Sequence, residues 1–274
     1  MISISIVTTS FNHAAFLQQT LDSVQTQSFP AHEHIVVDGA STDSTLELLA
    51  AKRGPGWEHL RWISEPDGGQ TQAMNKGLRM ATGDVIGWLN SDDIYRPSCF
   101  ELVARVFEEH PEVDVLYGDY TFIDKDGHHL RDRREIEPNR LVLFYHSEPF
   151  IPTTATFFRR RILDAGYWLD ESLQYAMDHD LFVRLALAGF NFRHISALLA
   201  DFRLHPASKT CATADRQLAE ARWVRLHHSP VAQRMRPGPL RSLCLRGLMV
   251  CAAVARYSEK FLRGYYLPSR TFPL

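Results

Sequence analysis

The sequence predicts an α/β fold: a mixed, mainly parallel sheet flanked by helices, with a helical extension at the carboxyl end. Two observations predict it. Between residues 2 and 95, four short apolar runs with strand character alternate with segments whose apolar residues recur at helical spacing. Each run then ends in polar or acidic residues, so that Thr9 and Asn12, Asp38, Asp67, and finally Asn90, Asp92 and Asp93 gather along one edge of the sheet. Open α/β sheets hold their ligands at that edge. The length of 274 residues suits one large domain, or a domain with a small appendage, and 45% hydrophobic with 23% charged residues is an ordinary globular make-up.

The elements follow in order. Ile2, Ile4 and Ile6 alternate with serines and lead to Val7, predicting a first strand that ends near Thr9. Leu17, Leu21 and Val24 share a helical face that Pro30 closes. His34 to Val37 is a buried strand stopping at Asp38-Gly39, after which Leu46, Leu48 and Leu49 open a helix with Ser41 or Thr42 as its N-cap. A third strand, Leu60 to Ser64, delivers the chain to Asp67-Gly68-Gly69. Then come a helix with Met74, Leu78 and Ala81 on one face, the strand Val85 to Leu89, and the acidic loop Asn90-Ser91-Asp92-Asp93. Two adjacent carboxylates repel unless a cation or several donors offset them, so the loop reads as a metal-assisted phosphate site. A turn rich in Ser and Asp is the alternative.

Farther on, Pro97 opens a helix from Ser98 to Glu109, and Val113 to Tyr117 is a strand. Asp126-Gly127 marks a hairpin, and Arg131 to Tyr145 reads as a surface loop or flap. Thr153 to Phe158 returns to the core, followed by a short helix from Arg159 to Ala165. Asp178, within Met177-Asp178-His179-Asp180, stands at an N-cap position before Phe182, Leu185 and Ala188. Two strands, Phe192 to Ile195 and Leu198 to Leu204, precede Arg203-Leu204-His205-Pro206. A polar helix from Ala212 to His227 reaches the breaker Pro237-Gly238-Pro239, and a last helix runs over residues 240–262.

Charge is uneven. Residues 229–274 hold eight Lys/Arg against one acid, +7, while the remainder carries 22 basic and 31 acidic residues, −9. The basic, apolar last helix has three readings: docking on the main domain, peripheral contact with anionic lipid, or an oligomer contact. No nucleic-acid module surrounds its basic residues. Four cysteines without CxxC spacing indicate neither zinc nor disulfides and suit a reducing, cytoplasmic setting. The amino terminus lacks the pattern of a secretory signal, and no apolar run reaches membrane-spanning length. GxGxxG and GxxxxGK[ST] are absent, which removes dehydrogenase and P-loop readings.

Five motifs in order, Ser5 to Asn12, Val37 to Thr45, Asn75-Lys76-Gly77, Ala81 to Asp84 and Leu89 to Asp93, resemble the family-two nucleotide-sugar glycosyltransferases of the GT-A (Rossmann-like) fold. The resemblance covers roughly residues 2 to 210. It implies a catalytic domain over residues 1–210, with 1–95 binding the nucleotide-sugar and 96–210 the acceptor, and a helical extension over 211–274. The implied reaction is an inverting, metal-dependent transfer of a sugar from a UDP, dTDP or GDP donor to a hydroxyl of a glycan or lipid-linked acceptor, in polysaccharide synthesis. The implied place is the cytoplasm, or peripherally the inner face of the cell membrane. Asp92 resembles the metal ligand of a DxD motif holding Mn²⁺ or Mg²⁺, with Asn90 in place of its first Asp. Asp38 resembles the residue that accepts a hydrogen bond from the nucleotide base; its alternative is capping the helix that follows. Thr9, Asn12 and Asp67 would complete the donor pocket. Asp178 resembles the catalytic base, with Met177 where a Glu usually precedes it and Asp180 as rival. His205 resembles a late histidine that meets metal or diphosphate, and Ser208, Lys209 and Thr210 would fold over the phosphates. A sugar-phosphate nucleotidyltransferase and a non-catalytic glycan- or nucleotide-binding member of the fold are the rival readings. The former is opposed by the absence of a glycine-rich basic loop after the first strand.

Overall fold

A computed structural model describes residues 2–206, 208 and 213–266. Lys209 and Thr210 of the expected phosphate lid lie outside the described residues. The first half is β1 (Ile4–Ser10), α1 (Ala14–Gln25), β2 (Glu33–Asp38), α2 (Thr45–Ala51), β3 (Leu60–Ser64), α3 (Gln70–Met80) and β4 (Val85–Trp88). After it come β5 (Ile94–Tyr95), α4 (Cys99–Glu109), β6 (Val115–Ile123), β7 (His129–Arg133), α5 (Arg140–Tyr145), a 3-10 turn at Thr153–Ala155, β8 (Thr156–Arg159) and α6 (Arg161–Asp164). The chain continues through α7 (Met177–Ala188), β9 (Phe192–Arg203), α8 (Ala214–His228), α9 (Pro230–Arg234) and α10 (Pro239–Leu262).

One nine-stranded sheet runs in the order β3-β2-β1-β4-β8-β6-β9-β5, with β7 paired to β6. The first four strands are parallel, so their carboxyl ends share an edge; β8 is antiparallel to both β4 and β6, and β6 runs parallel to β9. The alternation of β1 decides its packing. Ile4 and Ile6 belong to one apolar cluster with Phe100, Val103 and Phe107 of α4, whereas Val7 belongs to another with Met74 and Leu78 of α3. Gly77 allows α3 its approach to β1, because a Cβ there would lie 2.4 Å from Val7 Cγ1.

Four sequence expectations change. The stretch 131–145 is no flap: it forms the end of β7 and then α5, whose Val142, Leu143, Phe144 and Tyr145 are buried against α10 and α7. A single strand, β9, replaces the two expected between Phe192 and Leu204, its register shifting opposite Gly118–Tyr120. Helix α2 starts at Thr45, whose N–H is accepted by Asp43, because Ser41 is turned toward Asp38 instead. At Thr153 the expected strand begins as a 3-10 turn.

The last helix docks on the domain with its charged side inward. Arg256 and Lys260, both buried, reach the buried Glu135 at 3.0 Å, where Arg133 also pairs at 2.8 Å. Outward it presents Leu240, Leu243, Val250, Val254, Tyr257 and Phe261, all exposed. Among the described residues, no helix is long and apolar enough to cross a membrane.

Candidate active site

The carboxyl edge of the parallel strands opens into a cleft of about 690 Å³. Thr9, Ser10 and Phe11 at the end of β1 line it, with Gly39 after β2, Asp67 to Gln70 after β3, and Asn90 to Asp92 after β4. The opposite wall comes from Thr153, Gln174, Tyr175, Met177 and Asp178, with Ser208 and Gln217. Of the residues singled out from sequence, Thr9, Asp67, Asn90, Asp92 and Asp178 therefore face one cleft. Asn12, Asp38, Asp180 and His205 do not line it.

Asp38 and Asn12 stitch loops together instead. The fully buried Asp38 carboxylate accepts from Ser41 N–H at 2.9 Å, from the Ser41 hydroxyl, and from Ser64 Oγ at 2.7 Å. Asn12, at φ 54°, donates its N–H to Ser41 Oγ and accepts from Thr42 N–H through Oδ1. Asp38 is thus bonded within its own loop, and Gly39 beside it lines the cleft. The acid that does stand at the cleft is Asp67. It forms an ion pair with Lys76, which Glu65 also meets at 2.7 Å, while its Oδ2 is buried with no hydrogen-bond donor among the described residues.

The acidic loop after β4 is built by contacts from distant segments. Asn90 accepts from Trp88 Nε1 and Gln70 Nε2 and donates to Asp93 Oδ2 at 3.1 Å. An Asp at this position would set two carboxylates face to face, a local reason for the amide. Asp93 is buried, and burial, then the neighbouring Asp92 charge, pushes its carboxyl well above the usual range. His205 Nε2 lies 3.0 Å from Asp92 Oδ2, its ring against Phe16. Two residues overlooked in the sequence complete the arrangement. His13 bonds Ser91 Oγ at 2.7 Å, and burial lowers its pKa. Arg203 is buried behind the loop and spends its guanidinium on the carbonyls of Asp92, Asp124 and Lys125 and on Gln19. His13 stands at the start of α1 and Arg203 at the end of β9, and neither type in that place marks a site by itself.

The loop offers two of the ligands a divalent cation takes. Asp92 offers carboxylate oxygen to the cleft, His205 sets an imidazole nitrogen beside it, and no described Lys or Arg pairs with either acid of the loop. A second cluster of potential ligands, Asp124, Asp126 and His128, sits in the β6–β7 hairpin. There Asp124 Oδ1 accepts the N–H groups of Asp126 and His128, an ordinary turn whose residues do not line the cleft.

Asp178 lies in the first turn of α7, not at its N-cap, which is Ala176. The Thr153 hydroxyl donates to its Oδ2, and His179 N–H to its Oδ1 at 2.7 Å. Thr153 is a further residue that sequence reading missed, since the expected strand hid the turn. Asp180 is buried and faces away, Oδ1 toward His228 Nε2 and Oδ2 toward Arg184 Nε, each at 2.7 Å. Both oxygens of Asp180 are thus taken, and it has no place in the cleft lining.

Known proteins agree with this architecture. An uncharacterized glycosyltransferase of Mycobacterium tuberculosis is 33% identical over 189 residues, 68% of this chain and 69% of that one. Chondroitin synthase of Pasteurella multocida is 26% identical over 78% of this chain, which matches only 22% of that protein. Among solved structures, S. aureus TarS 1-349 in complex with UDP-GlcNAc superposes with a TM-score of 0.69 at 17% identity, covering 95% of this chain and 75% of that one. A Pyrobaculum calidifontis mannosyltransferase in complex with GDP-Man and Mn²⁺ gives 0.60 at 17% identity, covering 93% and 74%. These two share the GT-A fold with it. The model of glycosyl transferase family 2 matches residues 5–166, more than half of the sequence, and the chain belongs to that family.

Proposed function

We propose that this glycosyltransferase is an inverting enzyme that moves a sugar from a nucleoside-diphosphate donor to an acceptor hydroxyl in the making of a polysaccharide or lipid-linked glycan. One observation carries the reading: Asp92 and Asp178, from opposite halves of the chain, face the same cleft. Thr9, Phe11 and Gly39 would hold the nucleoside, and the unpartnered Asp67 Oδ2 would accept a ribose hydroxyl or base N–H. Mn²⁺ or Mg²⁺ would be held by Asp92 with His205, where it would neutralise charge developing on the diphosphate. Asp178 would accept the proton of the acceptor hydroxyl as its oxygen bonds the anomeric carbon and the bond to diphosphate breaks. Thr153, donating to Asp178, keeps the carboxylate oriented.

The donors in two similar structures, UDP-GlcNAc and GDP-Man, make UDP- and GDP-sugars the first to test, with dTDP-sugars beside them. Incubated with these and Mn²⁺, the wild-type chain should release nucleoside diphosphate; no release from any donor would favour a binding module. Asp178→Asn should lower transfer by ~10²- to 10⁴-fold with donor affinity little changed. Undiminished transfer would remove Asp178 from the chemistry. We further place the outward face of α10, apolar with Arg246 exposed in it and no acid among its exposed residues, against anionic lipid at the inner face of the cell membrane. Sedimentation with phosphatidylglycerol vesicles, but not with phosphatidylcholine vesicles, is the expected result.

A further inference from the structure

Helix α7 begins without a cap of its own, because its N-cap residue is Ala176 and no side chain of that residue bonds the first turn. The preceding amides nonetheless have a partner. Gln174 N–H lies 3.1 Å from both carboxylate oxygens of Glu220, Tyr175 N–H 2.7 Å and Ala176 N–H 2.9 Å from its Oε2. Glu220 is on α8, 44 residues from Ala176, and Ala221 and Val224 seat that helix in the main core. A carboxylate that gathers three amides at a helix N-terminus also meets the positive end of the helix dipole. We propose that Glu220 is a positioning residue for transfer, a carboxylate supplied from α8 that fixes the rim segment Gln174–Ala176 and, through it, Asp178.

The geometry gives this segment two duties. Gln174 packs across the cleft on the glycine turn, so closely that a Cβ on Gly69 would lie 2.1 Å from Gln174 Oε1. Tyr175 lines the cleft and is also reached by Arg216 of α8. Two residues past Ala176, Asp178 takes its direction from the first turn of α7. The Glu220 clasp therefore ties the rim over the donor turn and the orientation of the base to one side chain outside the cleft lining. It also bears on Met177: that residue carries no carboxylate, and Glu220 places one at the same helix end from a different element. Misplacing a reacting group by about 1 Å can cost ~10²-fold in rate.

This inference rests on Asp178 being the base, and its test separates the two. In the full chain with Mn²⁺ and UDP-N-acetylglucosamine or GDP-mannose, whichever the wild type turns over, Glu220→Ala and the near-isosteric Glu220→Gln are compared with Asp178→Asn and with Asp178→Asn/Glu220→Ala. Glu220→Ala should lower kcat by ~10- to 10²-fold, Glu220→Gln by less, and the double variant should be no slower than Asp178→Asn alone. Amide hydrogen exchange at Gln174, Tyr175 and Ala176 should quicken in Glu220→Ala without donor present. A kcat within twofold of wild type in both Glu220 variants overturns the inference even if Asp178→Asn is inactive; so does an additive loss in the double variant. Full activity of Asp178→Asn would instead sink the assignment of the base, while the exchange result would still report on the clasp.

Discussion

Two acidic places in this molecule, Glu135 and the Asp92–Asp93 pair, are offset in opposite ways. At Glu135 one carboxylate is met by Arg133, Arg256 and Lys260, all within 3.0 Å. Burial pushes the Glu135 carboxyl up, but Arg256, then Lys260 and Arg133, prevail and hold it below the usual range. At Asp92 and Asp93 no described Lys or Arg side chain pairs with either carboxylate: Arg203 gives Asp93 only its main-chain N–H, and its guanidinium points at carbonyls. Burial and the Asp92 charge leave Asp93 with a raised pKa. The first cluster is closed and joins α10 to the domain. The second is short of positive charge at the wall of a cleft, which is what a cation site requires.

Removing the acid should therefore do different things at the two places. Asp92→Ala should cause the largest change, lowering Mn²⁺-dependent turnover by ~10²- to 10⁴-fold with little loss of stability, since a metal ion supplies several kcal/mol of charge stabilisation in such transfers. Calorimetry should show metal-dependent nucleoside diphosphate binding lost as well. Glu135→Gln should leave three cations facing one amide and cost about 3–5 kcal/mol of stability, read by urea unfolding. A loss of activity without loss of stability there would dissolve the contrast.

Smaller effects sharpen it. Asn90→Asp removes the donor to Asp93 and adds a third carboxylate, so it should destabilise the metal-free protein by about 1–3 kcal/mol and regain more from added Mn²⁺ than the wild type does. Lys260→Met should be close to neutral at pH 7, because burial has already lowered the Lys260 pKa from 10.5 to about 8. The sign follows from proton counts. Between pH 8 and 10.5 the unfolded chain holds the Lys260 proton that the folded chain has released, so wild-type stability should rise with pH in that window. The variant should lack the rise. For Glu135 the sign is the same and the window lies lower: its contribution is complete above the ordinary 4.5 and fades as pH falls below it.

Much of the donor half could be read from residue order. Period-two runs such as Ile4 to Val7 and the polar residue at each strand end are local features, and parallel strands bring their ends together without further information. The later half was harder. Val142 to Tyr145 looked like an exposed aromatic flap because the helix that covers them, α10, arrives about a hundred residues later. Thr153 was hidden in a strand-like run, and nothing near Gln174 in sequence shows that Glu220 holds its amide.

By itself, then, the sequence determined the fold class, the acidic loop after β4 and the two carboxylates, Asp92 and Asp178, that meet in the cleft. Those depend on local periodicity and on motifs within a few residues. Only the tertiary structure decided which donors reach each acid. Asp38 is consumed by Ser41 and Ser64, Asp180 by His228 and Arg184, and Glu135 by three cations, while Asp67 and Asp92 keep oxygens toward the cleft. The reason is physical: a carboxylate's role is set by which donors reach its oxygens, and most of those donors come from segments far away along the chain.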